Sequence, residues 1–493
     1  LASSVLTDTD CEKLNSAVAK VLEKQLAAGR QLGVVVVAYY KGVEVVHLGG
    51  GLHRSQAGDS LHWRPVEPST RFMIQSVTKG VCAAGVLALV DRGVLDYNAL
   101  VTDYWPEFAI TNSKKARLTV GEALSHRAGL TCAGGDVPFA VLRSLWHFAC
   151  GGWAKAWNSQ VSAIERAEPE WEPGKFAAYH PVAYSWILGG LTDRALHAHG
   201  NKSADEVADS ETAIKPGCIR EVVAEYLAAA LDISPEEVMV GRVPFNCDEF
   251  VAAAEPPPCE ASAYRRTLAS AVACSGGGVN ENRNSTILRW FEVRVFAGIE
   301  AAVIAGLFNL GWWRRLCLPS SNGAMTARAV GRIFGALANG GSVRTRPGQA
   351  AKPTNGIKTT GKMKAGGVNL QEDRFVSEGT VEALVAKVKA SVLRDPPLTY
   401  RHPDGACPNG IRARLSCGFV PWTCPDLQGQ CGADNSSLGH EGMGGCCVYA
   451  DPSTTLAVCV FKNVYEPLSA IGGSVSPDVC ELTACVRSSL CLH

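Results

Sequence analysis

The chain has 493 residues, 47% of them apolar and 19% charged, with 47 Lys and Arg against 47 Asp and Glu. That length and apolar share allow a sizeable buried core. Zero net charge without a polybasic run excludes nucleic acid or an anionic membrane as the main partner, since phosphate binding needs clustered Lys and Arg.

No signal or transit peptide is visible, and the chain begins at Leu1 rather than Met. This reads as processing on import into an organelle (mitochondrion or plastid), as secretion, or as an incomplete sequence. An amphipathic helix is predicted over Thr9 to Ala28, capped by Asp8 or Thr9. Two β-branched runs, Val34 to Tyr40 and Val43 to Gly49, flank Lys41-Gly42 and predict a β-hairpin. A helix follows Ser76 and runs to about Asp91, stopped by Gly93. Helices and loops then dominate, with clear helices at Val222 to Leu231 and Thr326 to Ala338. The apolar stretch Val295 to Trp313 nearly reaches bilayer length. Glu300 and Asn309 interrupt it and Arg314-Arg315 follow, so a buried soluble helix is expected and no transmembrane span.

Residues 342–376 are polar and read as a mobile insertion. A helix is predicted over Val381 to Leu393. Strands follow at Ser416 to Trp422, Gly445 to Ala450 and Thr455 to Asn463, with a turn at Asp451-Pro452. A helix from Asp478 to Leu490 closes the chain. The pattern predicts an α+β fold: an antiparallel sheet built from both chain ends, flanked by terminal helices, with an inserted helical lobe. The division expected within one domain over 1–493 is a sheet lobe at about 1–75 and 378–493, a helical lobe at about 76–341, and a polar insertion at about 342–377.

Of the 19 cysteines, Cys82, Cys274 and Cys459 lie in apolar runs, where Cys acts as a small hydrophobe. Cys407, Cys417, Cys424 and Cys431 cluster in a Pro/Gly-rich loop. Their spacings are too wide for a zinc knuckle, so no metal and no cofactor is expected. Disulfides and free thiols both remain open there.

Ser76 is the only serine with a lysine three residues later. Positions i and i+3 share a helix face, so the Lys79 amine can reach the Ser76 hydroxyl. A desolvated lysine has a lowered pKa and can take a proton near neutral pH. The helix N-terminus adds N–H groups that favour an oxyanion.

Five segments in order extend the pattern: FMIQSVTKGVCAAGVLALVDRG, LTVGEALSHRAGL, WEPGKFAAYHPVAYSWILGGL, PSSNGAMTARAVGRIFGALANGG and LGHEGMGGCCVYADPSTTLAVCVFKN. Together they resemble the serine β-lactamase and penicillin-binding-protein-like superfamily, most of all its class C-like branch, which includes esterases, D-amino-acid peptidases and eukaryotic β-lactamase-like proteins. The resemblance implies that fold and a serine hydrolase acting through an acyl-enzyme on a small ester or peptide. It implies Ser76 as nucleophile, Lys79 as its proton partner, Tyr179 as second acid or base, and His440 in the third motif. Gly442 would let substrate approach, and the Ser76 and Met443 N–H groups would form the oxyanion hole.

Two motifs depart from the family. Tyr179-His180-Pro181 replaces the usual Tyr-x-Asn, which weakens the case for β-lactam hydrolysis. His180 either packs in the core or partly replaces the missing amide, and packing is the expected role. Glu441 replaces a small residue and either borders the site or points to the far face of the sheet. His126 is expected to be structural in its loop. Lys358-Thr359-Thr360-Gly361 imitates the third motif but has no strand around it and reads as a solvated loop. Trp146, Trp153, Trp157, Trp171 and Trp186 are expected mainly in the core. The alternative to a hydrolase is a weakly active or inactive structural subunit of a larger assembly, and a homo-oligomer is equally open.

Overall fold

The computed structural model describes residues 6–57, 60–131, 137–175, 177–202, 214–241, 243, 251–252, 309–345, 361–365, 368–394, 416–420, 436–465 and 476–492. Helix α1 (Asp8–Ala27) is capped by Thr7, not by Asp8 or Thr9: the Thr7 hydroxyl accepts the Asp10 N–H at 3.2 Å. Strands β1 (Gly33–Tyr40) and β2 (Val43–Ala57) meet at Lys41 and Gly42, both at positive φ (51° and 75°), the conformation a two-residue hairpin requires. Strands β3 (Ser60–Pro65) and β4 (Arg71–Met73) lead to α2 (Val77–Asp91).

The helical lobe contains α3 (Val137–Arg166) and α4 (Tyr184–Lys202). The helix expected at Val222 to Leu231 is helical but not regular. A π-turn at Val222–Ala228 passes into a 3₁₀ turn at Ala229–Leu231, which stops at left-handed Asp232. Strands β5 (Val238–Val240), β6 (Val251–Ala252) and β7 (Gly323–Thr326) follow, and β7 runs into α5 (Ala327–Ala338). The Thr326 hydroxyl caps α5 by accepting the Ala329 N–H at 3.1 Å.

The expected mobile insertion is largely a correction. Its described residues form β8 (Ser342–Thr345), β9 (Gly361–Ala365) and β10 (Val368–Arg374), which extend the main sheet before α6 (Glu378–Arg394). Polar composition here belongs to the sheet's edge, where charged residues discourage further pairing. Of the imitation motif, Gly361 opens β9, while Lys358 to Thr360 lie outside the described residues.

The chain ends with β11 (Leu438–Glu441), β12 (Cys447–Asp451), β13 (Leu456–Lys462) and α7 (Pro477–Ser489). The main sheet has the order β11-β12-β13-β1-β2-β8-β10-β9, with β3 also paired to β2. It is antiparallel except where β2 and β8 touch in parallel at Val43 and Arg344. A second sheet has the order β5-β7-β4-β6. The strand expected at Ser416 to Trp422 is, in its described part, a tight turn bridging Ser416 to Phe419, with Val420 bridging to Gly439.

Both faces of the main sheet are covered. One core joins it to α2, α5 and the helical lobe; the other joins it to α1 and α7. Glycines set the closeness of α5: a Cβ at Gly335 would lie 2.7 Å from the Tyr39 side chain of β1. Buried Arg487 of α7 donates to buried Asp451 at the end of β12 at 3.2 Å. Of the stretch Val295 to Trp313, residues 295–308 lie outside the described residues, and Gly311–Arg315 forms a short helix. No described helix is long and apolar enough to cross a membrane. Cys407, Cys424 and Cys431 also lie outside the described residues, while Cys417 is a buried free thiol.

Candidate active site

Helix α2 is apolar all round and buried from Val77 through Leu89, which places it between the main sheet and the helical lobe. Ser76 stands at its N-cap, yet its side chain makes no capping bond. Gln75 just before it has φ 46°, a conformation costly for a residue with a Cβ. Thr78 holds that turn: its hydroxyl donates to Gln75 O at 2.5 Å and accepts the Gly323 N–H at 2.9 Å.

The freed Ser76 hydroxyl is met from two sides. Tyr179 Oη donates to Ser76 Oγ at 2.8 Å, and Lys79 Nζ lies 3.3 Å from the same atom. Lys79 is completely buried and also bonds Pro181 O at 2.9 Å and Ser320 O at 2.8 Å. No carboxylate among the described residues forms an ion pair with it. Burial therefore pushes its pKa well below the ordinary lysine value. A neutral amine has two N–H bonds and one lone pair. The two carbonyls can only accept, so they take the N–H bonds and leave the lone pair for the Ser76 O–H. Ser320 is itself fixed by a reciprocal pair: Ser185 Oγ donates to Ser320 Oγ at 2.6 Å, and the Ser320 N–H donates to Ser185 Oγ at 3.0 Å.

Burial raises the Tyr179 pKa, and the Glu441 charge adds to the rise, so the phenol keeps its proton. His440 is nearly buried, with its Cβ toward Gly80 and its ring 6.5 Å from the Tyr179 ring. The 2.7 Å contact of Nδ1 with Glu441 O assigns the proton to Nδ1. Nε2 is buried without a hydrogen-bond partner among the described residues. Burial first, then the nearby Lys79, lowers the His440 pKa to about 3.

Gly442 brings the end of β11 against the turn at Ile74 and Gln75 that precedes Ser76. A Cβ there would lie 2.3 Å from Ile74 O and 3.4 Å from the Gln75 Cβ. Among the described residues the Ser76 and Met443 N–H groups have no main-chain acceptor, so both are available as donors.

His180 packs in the core and is not free to take the place of the missing amide. Its Nδ1 meets Ala178 O at 2.6 Å and its Nε2 accepts the Leu130 N–H at 3.0 Å, which consumes both nitrogens. Burial lowers its pKa to about 4. His126 accepts the His180 N–H at 2.9 Å on Nδ1 and stacks on Tyr179, nearer the chemistry than its sequence context suggested. Sequence reading also missed Ser320 and Pro181 as partners of Lys79, because both act through carbonyls that every residue carries. Trp157, Trp171 and Trp186 are buried as expected, but Trp146 is exposed.

Comparison with known proteins gives a consistent pattern. The family model described as Beta-lactamase matches residues 18–470. The chain is 29% identical over 321 residues to the esterase/beta-lactamase LipL of Mycobacterium tuberculosis, covering 64% of this chain and 61% of that protein. It is 32% identical over 123 residues to the esterase EstB of Burkholderia gladioli, covering 24% of this chain and 30% of that one. It therefore matches less than two thirds of the length of either relative. Among solved structures, a family VIII carboxylesterase aligns with TM-score 0.64 and a penicillin-binding protein homolog from Caulobacter crescentus with 0.63, each 22% identical and covering 99% of both chains. At that identity the likeness establishes the fold, the β-lactamase/transpeptidase-like arrangement expected from the sequence.

Proposed function

The chain belongs to the beta-lactamase family, and we propose that it is a serine hydrolase that cleaves small esters through an acyl-enzyme on Ser76. The observation that carries this is the three-atom contact of Tyr179 Oη, Ser76 Oγ and Lys79 Nζ, with the other two Lys79 positions held by carbonyls.

Neutral Lys79 takes the Ser76 proton as Oγ bonds to the ester carbon. The carbonyl electron pair moves to oxygen, where the Ser76 and Met443 N–H groups stabilise it; one such donor contributes about 3–4 kcal/mol in transition states of this kind. The carbon–oxygen bond to the leaving group then breaks, and Tyr179 gives that oxygen its proton. Lys79 passes its extra proton to Tyr179, which restores both groups. Water then repeats the sequence on the acyl-enzyme, releasing a carboxylic acid and free Ser76.

An ester is favoured over an amide because Pro181 stands in place of the Asn that the family resemblance expects, and proline has no side-chain amide to bond a substrate amide. The names of the two curated relatives, an esterase/beta-lactamase and an esterase, both include ester cleavage. Tyr179→Phe tests the assignment. Turnover of an ethyl ester should fall about 10²–10⁴-fold, the usual worth of a general acid. A folded variant with unchanged turnover would overturn it.

A further inference from the structure

We propose that His126 is a positioning residue that holds the Tyr179 phenol in its proton-donating orientation. The proposal rests on the reading of Tyr179 as general acid.

Among the described residues Tyr179 has one hydroxyl contact, to Ser76, and its ring torsion is intrinsically broad. Something must fix the ring plane. The His126 ring stacks on Tyr179 with centroids 5.1 Å apart and planes at 22°. It also stacks on Tyr184 at 4.4 Å and 12°. The His126 and Tyr184 rings of this stack are buried and the Tyr179 ring half-buried, and Lys79 Nζ lies 4.8 Å from the Tyr179 ring and 5.9 Å from the Tyr184 ring.

The same imidazole also grips the backbone. Nδ1 accepts the N–H of His180, the residue directly after Tyr179, at 2.9 Å. The Ala178 N–H donates to His126 O at 3.1 Å, so the chain is tied on both sides of the tyrosine. One residue thus sets both the position and the plane of the phenol. Phenylalanine would keep the flat ring but lose the acceptor. Asparagine would keep an acceptor but lose the ring. His126 also sits at φ 58°, a region that His and Asn tolerate better than most residues.

A misplaced acid has a signature that general loosening lacks. A p-nitrophenolate departs without a proton, whereas an ethoxide needs one. The test is kcat/KM for acetate esters with leaving groups from p-nitrophenol to ethanol, in the wild type, His126→Asn and Tyr179→Phe. For His126→Asn we expect a loss of about 10–100-fold on the ethyl ester and under about threefold on the p-nitrophenyl ester, a fraction of a full general-acid effect. An equal loss across the series, or none, would overturn the proposal. If Tyr179→Phe shows the steep dependence and His126→Asn does not, the positioning role fails and the acid assignment stands. If Tyr179→Phe shows no such dependence, both fail. Should His126→Asn lack the native circular dichroism spectrum, Tyr184→Leu, which removes the Tyr184 ring of this stack, is read in the same way.

Discussion

At Ser76 the helix start does the opposite of what a serine there usually does. The hydroxyl caps none of the first N–H groups of α2, which bond the main-chain oxygens of Ile74, Gln75 and Ser76 instead, and turns to Tyr179 and Lys79. Lys79 was legible because Ser-x-x-Lys at a helix start has a mechanism. Its carbonyl partners were not, because main-chain oxygens carry no sequence signal. The buried histidines were hardest to assign, since the letter H does not say which nitrogen is bonded. His126, His180 and His440 are all buried neutral, with His180 near 4, His440 near 3 and His126 well below the ordinary value. The consequence for stability follows from proton counting. Below about pH 6.5 the unfolded chain protonates these rings while the folded chain does not. Stability therefore falls as pH drops from about 6.5 toward 4, by on the order of 1 kcal/mol per pH unit for each ring. Urea midpoints at pH 7 and pH 5 should differ accordingly. Equal midpoints would contradict the buried neutral assignment.

Among the elements, the hairpin of β1 and β2, the apolar α2 and helix α5 were readable from turn residues and hydrophobic pattern, while the Thr326 cap of α5 was not. The described strands β8, β9 and β10 were misread because polarity was taken as looseness, whereas an edge strand can be polar and still be paired. The segment Val222–Ala228 was legible as helix, but a π-turn differs from an α-turn by one hydrogen-bond register, which composition does not encode. β11 bears most directly on the chemistry. Its end reaches the turn that precedes Ser76 only because Gly442 has no side chain. In Gly442→Ala the added methyl would meet Ile74 O at 2.3 Å, main chain against side chain, and β11 must retreat with the Met443 N–H. A loss of about 10²–10³ in kcat/KM is expected, that of one oxyanion donor, with the fold retained. Wild-type kcat/KM in Gly442→Ala would remove Met443 from the oxyanion hole.

Across the whole molecule, a sheet made from both chain ends brings residues far apart in sequence to one place. Ser76 and Lys79 come from the helix beneath the sheet, Tyr179 and Pro181 from the helical lobe, Ser320 from the segment before β7, and His440 from the sheet's edge strand. That assembly was legible through five ordered segments rather than through any one motif. The altered second and third motifs left a catalytically silent subunit open. On the proposed reading, Lys79 keeps a set of partners without the family amide, supplied by the carbonyls of Pro181 and Ser320. The central claim is a live nucleophile at Ser76. Its most direct test is the intact mass of the protein after incubation with a fluorophosphonate. The account predicts a single adduct on the wild-type chain that is absent from folded Ser76→Ala. A folded wild-type chain with no adduct, or an adduct that persists in Ser76→Ala, would contradict it.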